Sequence, residues 1–262
     1  MIIMECKIIL LKKPNLKDPI MIAGLPGFGY VGKLSADYLI EKLNAELFGE
    51  LYSPFFPPYV LVKEDGLVEL MKNEFYFVKN INNLDLIIFT GNTQAISSEG
   101  QYDVVEKTLE LAKDFNVKKL FTMAAYISES YNEERKVYGV ASSIKLIEEL
   151  KKYNVEIMKE GSISGINGLL FGLAKTRNID SICLLGETPS YIIPSGRMIA
   201  DPKASKAILS ILANILGISL DLKGLEKQAQ YMEEIIRKIE EIERKAIEEA
   251  TKGKKERVGY IG

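Results

Sequence analysis

The strongest constraint on the fold lies near the start of the chain, in Pro19-Ile20-Met21-Ile22-Ala23-Gly24-Leu25-Pro26-Gly27-Phe28-Gly29-Tyr30-Val31-Gly32-Lys33. An apolar run enters a turn holding four glycines and a proline. An amphipathic run then leaves it through Leu34, Tyr38, Leu39 and Leu43. The pattern predicts a strand, a tight turn and a helix. Gly27-x-Gly29-x-x-Gly32 has the spacing of a dinucleotide-binding turn, and Gly27-x-x-x-x-Gly32-Lys33 comes close to a phosphate-binding loop. Two readings follow: the turn cradles an anionic ligand, or its glycines let the helix sit tightly on the strand.

The rest of the chain repeats the alternation of strand and helix. Apolar runs predict strands at 6–11, 20–23 and 45–52, short strands at 60–63, 67–71 and 75–79, and inner strands at 84–90, 119–124 and 181–185. A further short strand is expected at 155–158. Turns are expected at Glu64-Asp65-Gly66 and Lys72-Asn73-Glu74, and Pro54, Pro57 and Pro58 exclude a central strand or helix from 53–59. Helices are expected at 30–43, 99–115 (apolar side Val104, Val105, Leu109, Leu111), 142–153 (Ile144, Ile147, Leu150), 166–176 and 203–216. The last begins at Asp201-Pro202, which supplies Asp at the N-cap and Pro at N1. Gly168 and Gly172 lie one turn apart, so another backbone is expected to approach there. These elements predict an α/β fold with a mainly parallel sheet covered on both faces, made mixed by the hairpin-like region 60–79.

Charge and composition narrow the chemistry. Lys and Arg total 34 against 36 Asp and Glu, a formal charge of −2, which gives no reason to expect nucleic acid or anionic membrane as a partner. The apolar run 208–220 is too short to span a bilayer, and the first residues lack the pattern of a signal peptide. A cytoplasmic protein is expected. Cys6 and Cys183 lie far apart in apolar runs and read as buried thiols, with neither a disulfide nor a metal framework. There is no histidine, so imidazole bases, Ser–His or Cys–His pairs and His metal ligands are all absent. No catalytic residue, metal or cofactor is expected. The abundance of Lys, Glu and Ile suits a thermophile.

Each remaining motif departs from its catalytic pattern. A phosphate loop needs Ser or Thr after its lysine, but Leu34 stands there and Ser35 comes one residue late. A dinucleotide turn would find Glu46 or Glu50 downstream as the ribose ligand, but Pro26, Phe28 and Tyr30 crowd it. Gly161-Ser162-Ile163-Ser164-Gly165 has Ile163 where a nucleophile elbow has serine, and Ser142-x-x-Lys145 lacks its companion motifs. Glu187 is the carboxylate best placed to act as a base or ribose ligand; otherwise it is a partly exposed loop residue. A phosphorylase-like cleft using Gly27, Gly29, Gly32 and Glu187 is the alternative functional reading.

The segment after 220 differs in character. Leu225, Met232, Ile239 and Ala246 share one heptad position, and Gln228, Ile235, Ile242 and Glu249 another, with charged residues between. This predicts one long helix over 221–251 with a narrow apolar seam (Leu225, Met232, Ile235, Ile239, Ile242). The seam is expected to pack on the chain's own domain, with another chain as the alternative. The organisation is therefore an α/β domain at 1–220, a helix at 221–251 and a tail at 252–262, in which the aromatic Tyr260 has no packing role to explain it.

Three segments together carry a resemblance: Gly24-Leu25-Pro26-Gly27-Phe28-Gly29-Tyr30-Val31-Gly32, Gly186-Glu187-Thr188-Pro189-Ser190-Tyr191 and Asp201-Pro202-Lys203-Ala204. They resemble the proteasome assembly chaperone 2 family in its archaeal branch, over about 18–216. The resemblance implies a three-layer α/β sandwich similar to purine nucleoside phosphorylases and a non-enzymatic role. It also implies homo-oligomers, or complexes with another family member, and engagement of proteasome α-subunits. That engagement resembles docking by a C-terminal hydrophobic–Tyr–any tripeptide, and here Tyr260-Ile261-Gly262 would be the partner-binding tail, with its tyrosine third from the end. The reading reached is a non-enzymatic, oligomeric scaffold or assembly chaperone that presents its C-terminal helix and tail to a partner.

Overall fold

Seventeen strands and helices follow the hydrophobic pattern in the computed structural model, which describes residues 5–128, 134–189 and 199–255. The strands are β1 (Lys7–Leu10), β2 (Ile20–Ala23), β3 (Glu46–Tyr52), β4 (Val60–Val62), β5 (Val68–Leu70), β6 (Asn73–Ile81), β7 (Leu84–Gly91), β8 (Lys119–Ile127), β9 (Val137–Ala141), β10 (Glu156–Ile157) and β11 (Asp180–Thr188). The helices are α1 (Val31–Lys42), α2 (Ser98–Asp114), α3 (Ile144–Lys151), α4 (Gly165–Thr176), α5 (Pro202–Leu216) and α6 (Lys223–Lys255).

Nine strands form one mixed sheet in the order β1-β3-β6-β7-β2-β8-β11-β9-β10. The mainly apolar strands β7, β2, β8 and β11 run parallel at its centre, as expected of strands buried on both faces. The antiparallel pairs lie toward the edges. One face packs Phe48, Phe75 and Phe89 against Val104, Val105 and Leu109 of α2 and Ile166 and Leu170 of α4. The other packs Ile22, Ile88 and Phe121 against Leu39 of α1 and Ile208 and Leu212 of α5. The three expected layers are present, and α6 follows them.

Four local expectations need correction. Residues 72–74 are not a hairpin turn: β6 begins at Asn73, and β4 and β5 pair only with each other in a separate two-stranded sheet. Strand β9 was not expected at all, because Val137-Tyr138-Gly139-Val140-Ala141 is short and carries a glycine that lowers its strand signal. That glycine sits where a Cβ would come within 2.6 Å of Val155 Cγ1. Ile144 is 81% exposed, and α3 buries Leu146 in its place beside the expected Leu150. At Gly168 a Cβ would strike the Ile163 carbonyl oxygen at 2.0 Å, whereas nothing approaches Gly172.

Helix α5 starts as its sequence requires, with Asp201 Oδ1 accepting from the Ala204 amide at 3.0 Å and Pro202 at the first helical position. Helix α6 is anchored by its first two turns. Leu225 and Ala229 are buried, and the Tyr38 hydroxyl donates to Asp221 O at 2.7 Å. Met232, Ile235 and Ile239 are half-buried, and Ile242 is exposed. Among the described residues no helix is long and apolar enough to cross a membrane.

Candidate functional site

The glycine turn leaves β2 at the carboxyl end of the parallel strands, where open α/β sheets hold their ligands. Several of its backbone groups are already engaged by the protein. Gly24 N donates to Phe89 O at 3.0 Å, and the Thr90 hydroxyl donates to Gly24 O at 2.8 Å. Asn167, buried at the start of α4, accepts from Leu25 N at 3.0 Å and donates to Leu25 O at 3.2 Å. Gln94 Nε2 donates to the Pro26 carbonyl, and Gln94 Oε1 accepts from the Ile166 amide at 2.6 Å. Two side-chain amides thus clamp the turn to α4.

The glycines divide by role. At Gly24 a Cβ would lie 2.1 Å from Gly32 O, and at Gly32 one would lie 2.3 Å from Met123 O, so these two let α1 seat against β2 and β8. Gly29 has φ +57° and precedes Tyr30, which also adopts a left-handed conformation at φ +50°. The space beside Gly29 is taken by Thr188 and Asp201. Only Gly27 is open, with its nearest neighbour 4.0 Å from a built Cβ. At Gly24, Gly29 and Gly32 the cradle that a pyrophosphate would need is therefore filled by the chain itself.

Asp201 joins the three segments that carry the family resemblance. Its amide donates to Gly29 O at 2.8 Å, its Oδ2 accepts from the Thr188 hydroxyl at 2.8 Å, and its Oδ1 caps α5. Arg135 Nε lies 3.4 Å from Oδ2 with both side chains buried.

A cleft of about 700 Å³ opens beside the turn, between the ends of β2, β8 and β11 and the loop before α4. Gly27 and Gly32 line it, and half-exposed Phe28 and Tyr30 stand at its edge. Glu160 is the only charged side chain among its described lining residues. Ser162 and Ser164 also line it.

Glu187 is neither in this cleft nor on an exposed loop. It is the penultimate residue of β11, 2% exposed, and its Oε2 accepts from Lys136 N at 3.3 Å. The structure therefore does not bring Glu187 together with Gly27 and Gly32. Ser142 Oγ accepts from the Ser181 amide at 3.0 Å and serves the sheet. Burial pushes the Cys6 and Cys183 thiols up to about 12, leaving neither as a thiolate near neutrality. Among the described residues no group of three or more His, Cys, Asp or Glu could hold a metal ion. The expected tail residues Tyr260, Ile261 and Gly262 lie outside the described residues.

Sequence reasoning missed a second polar centre. Lys72 Nζ lies 2.6 Å from Glu50, 2.9 Å from Glu69 and 3.0 Å from Glu74. Glu50 and Glu74 stand opposite each other on β3 and β6, so the lysine neutralises a like-charged cross-strand pair. Burial alone would lower the Lys72 pKa, but hydrogen bonds to Glu50, Glu69 and Glu74 outweigh it and hold it well above the usual lysine range. The hydrogen bond from Lys72 lowers the Glu69 carboxyl. Glu69 belongs to β5, so this cluster fastens the separate hairpin to the main sheet.

Comparison with known proteins agrees with this architecture. The chain is similar to the crystal structure of Pyrococcus furiosus PbaB, an archaeal proteasome activator, with 40% identity and a TM-score of 0.83 over 90% of this chain and 99% of that one. It is similar to Pyrococcus furiosus PbaA, an archaeal homolog of proteasome-assembly chaperone, with 27% identity and a TM-score of 0.74 over 95% and 97% of the two chains. Protein MJ1210 of Methanocaldococcus jannaschii is 36% identical over 79% of this chain and 78% of its own length. The model of the PAC2 family matches residues 21–240. With the three motif segments joined at Asp201 and this match across most of its length, the chain belongs to the PAC2 family.

Proposed function

We propose that this chain is a non-enzymatic, homo-oligomeric scaffold that engages proteasome α-subunits, as an activator or an assembly chaperone. The observation that carries this reading is 40% identity across 99% of the length of PbaB, an archaeal proteasome activator. The site chemistry supports it. The glycine turn binds Asn167, Gln94 and Asp201 through its Leu25, Pro26 and Gly29 backbone groups, and the sequence holds no histidine. Helix α6, fixed at its base through Leu225 and Tyr38, carries the segment with Tyr260, Ile261 and Gly262, which we assign to partner binding.

Native mass spectrometry of the full chain, alone and mixed with α-subunits from the same source, tests the proposal. A closed homo-oligomer that gains α-subunits, and loses them when 252–262 is removed, is the expected result. A homo-oligomer that ignores α-subunits would remove the proteasome from the reading. Peptide hydrolysis by assembled proteasome, with and without the chain, separates activator from chaperone.

One observation favours a second reading, a small-molecule binder: the cleft of about 700 Å³ sits at the carboxyl ends of parallel strands. A thermal-shift screen with nucleosides, phosphate and dinucleotides tests it. A ligand at 100 times its dissociation constant stabilises by about 2.7 kcal/mol, so a flat response rejects those ligands.

A further inference from the structure

The hairpin β4–β5 stands apart from the main sheet and exposes its outer face. Its strands pair in the register Val60↔Leu70, Leu61↔Glu69 and Val62↔Val68. The turn is tight, with Gly66 at φ +80° donating to Lys63 O at 2.9 Å, and Lys63 N donating to Leu67 O at 2.9 Å. Glu69 reaches Lys72 at 2.9 Å and Lys63 at 3.4 Å, so its face is directed toward the main sheet. Side chains alternate along a strand, and the opposite face is therefore Val60, Val62, Val68 and Leu70. These are 46%, 70%, 70% and 50% exposed. Tyr59 and Leu67 are also exposed, but the same alternation places them on the Glu69 side, outside the quartet.

An isolated two-stranded hairpin is marginal in water, yet this one presents an aliphatic quartet to solvent. The quartet offers apolar area on the order of a few hundred Å², the size that marks an interaction surface on a single chain. It would supply the apolar core of a contact of about 800 Å² per partner, the standard size of a stable interface.

We propose that this face is where two copies of the chain associate, quartet against quartet about a two-fold axis. The quartet carries no charge, and its two cross-strand pairs are aliphatic on both strands, so the patch matches itself without requiring an opposite surface. Contacts between copies of one chain are the more apolar class, whereas transient contacts with foreign partners are more polar. The inference rests on the proposed scaffold only in its self-association, and not in its proteasome partner.

The full chain and its Val62→Glu, Val62→Lys and Val68→Lys variants test it, with mass read by native mass spectrometry and light scattering over a concentration series. Far-UV circular dichroism checks that each variant folds. In wild type the chain is an oligomer. Each variant folds, its mass falls by at least half, and its dissociation constant rises about a hundredfold or more, because each places unpaired charges in a dry contact. An equimolar mixture of the Val62→Glu and Val62→Lys chains regains mass, which a foreign-partner surface would not produce. Folded variants of unchanged mass overturn the inference while leaving the proteasome reading intact. Variants of unchanged mass that stop capturing α-subunits overturn it in favour of a foreign partner. A wild-type chain that is monomeric throughout overturns both this contact and the oligomeric scaffold.

Discussion

Asn167 grips both backbone groups of Leu25, accepting from its amide at 3.0 Å and donating to its carbonyl at 3.2 Å. This pair ties the turn after β2 to the first turn of α4 across 142 residues of chain. Replacing Asn167 with Leu strands a buried donor and a buried acceptor, and the expected loss is about 2–4 kcal/mol. Urea denaturation of the variant against wild type measures it. A loss within experimental error would mean that Leu25 finds other partners.

The glycine spacing makes a divided prediction. Gly32→Ala drives a methyl to 2.3 Å from the Met123 carbonyl, a backbone atom that cannot swing aside. The expected cost is at the upper end of overpacking, about 3 kcal/mol. Gly27 is extended and has its nearest neighbour at 4.0 Å, so Gly27→Ala changes stability by no more than about 0.5 kcal/mol. Thermal melts of the two variants check this. Equal damage at both positions would show that Gly27 carries a constraint other than packing.

Asp201 serves the Thr188 hydroxyl, the N-terminus of α5 and Arg135 at once. Asp201→Ala removes all three and is expected to cost about 2–4 kcal/mol, more than the loss of a cap alone. Asp201→Asn keeps a capping oxygen and should recover part of that loss. Denaturant midpoints for the two variants give the comparison, and identical midpoints would contradict a role for the side chain beyond its length.

The Lys72 cluster sets a pH dependence whose sign can be worked out. Glu69 has its folded pKa lowered from 4.5, so its contribution is present above that value and is lost as pH falls below it. Lys72 has its folded pKa raised from 10.5, so its contribution is complete below 10.5 and is lost only as pH rises beyond. Between these limits the cluster holds. In Lys72→Met the three carboxylates are left facing one another without their shared cation, so the variant gains stability as pH falls toward 5 and their repulsion is relieved. Melting temperature against pH reads the inversion of slope, and parallel curves for the two proteins would reject it.

Long strongly patterned elements were legible in the sequence. The apolar runs of β2, β7, β8 and β11 have one stable place, the middle of a sheet covered on both sides, and Asp201-Pro202 marks the start of α5 by the chemistry of its first turn. Strand β9 was hidden because five residues with a central glycine carry little periodic signal, and its pairing with β11 is a long-range event. Gln94 and Asn167 were hidden for another reason. Each looks like an ordinary loop or helix residue until the fold sets it against the turn, although Asn167 is a polar residue in an otherwise apolar helix face. Glu187 was misplaced because the end of β11 reads as a loop from its polarity, whereas pairing with β8 continues through Thr188. Glu69, Lys72 and Glu74 are close in sequence but read as a polar turn, and Glu50 joins them from β3, 22 residues away.

Helix α6 runs for 33 residues, about 50 Å at 1.5 Å per residue, and among its described side chains only Leu225 and Ala229 are buried. Such an arm confines whatever binds at its far end to a small volume around the base, equivalent to an effective concentration of millimolar order. A weak contact made there is therefore renewed far more often than it is lost, and several arms held by one assembly would turn weak contacts into a durable attachment.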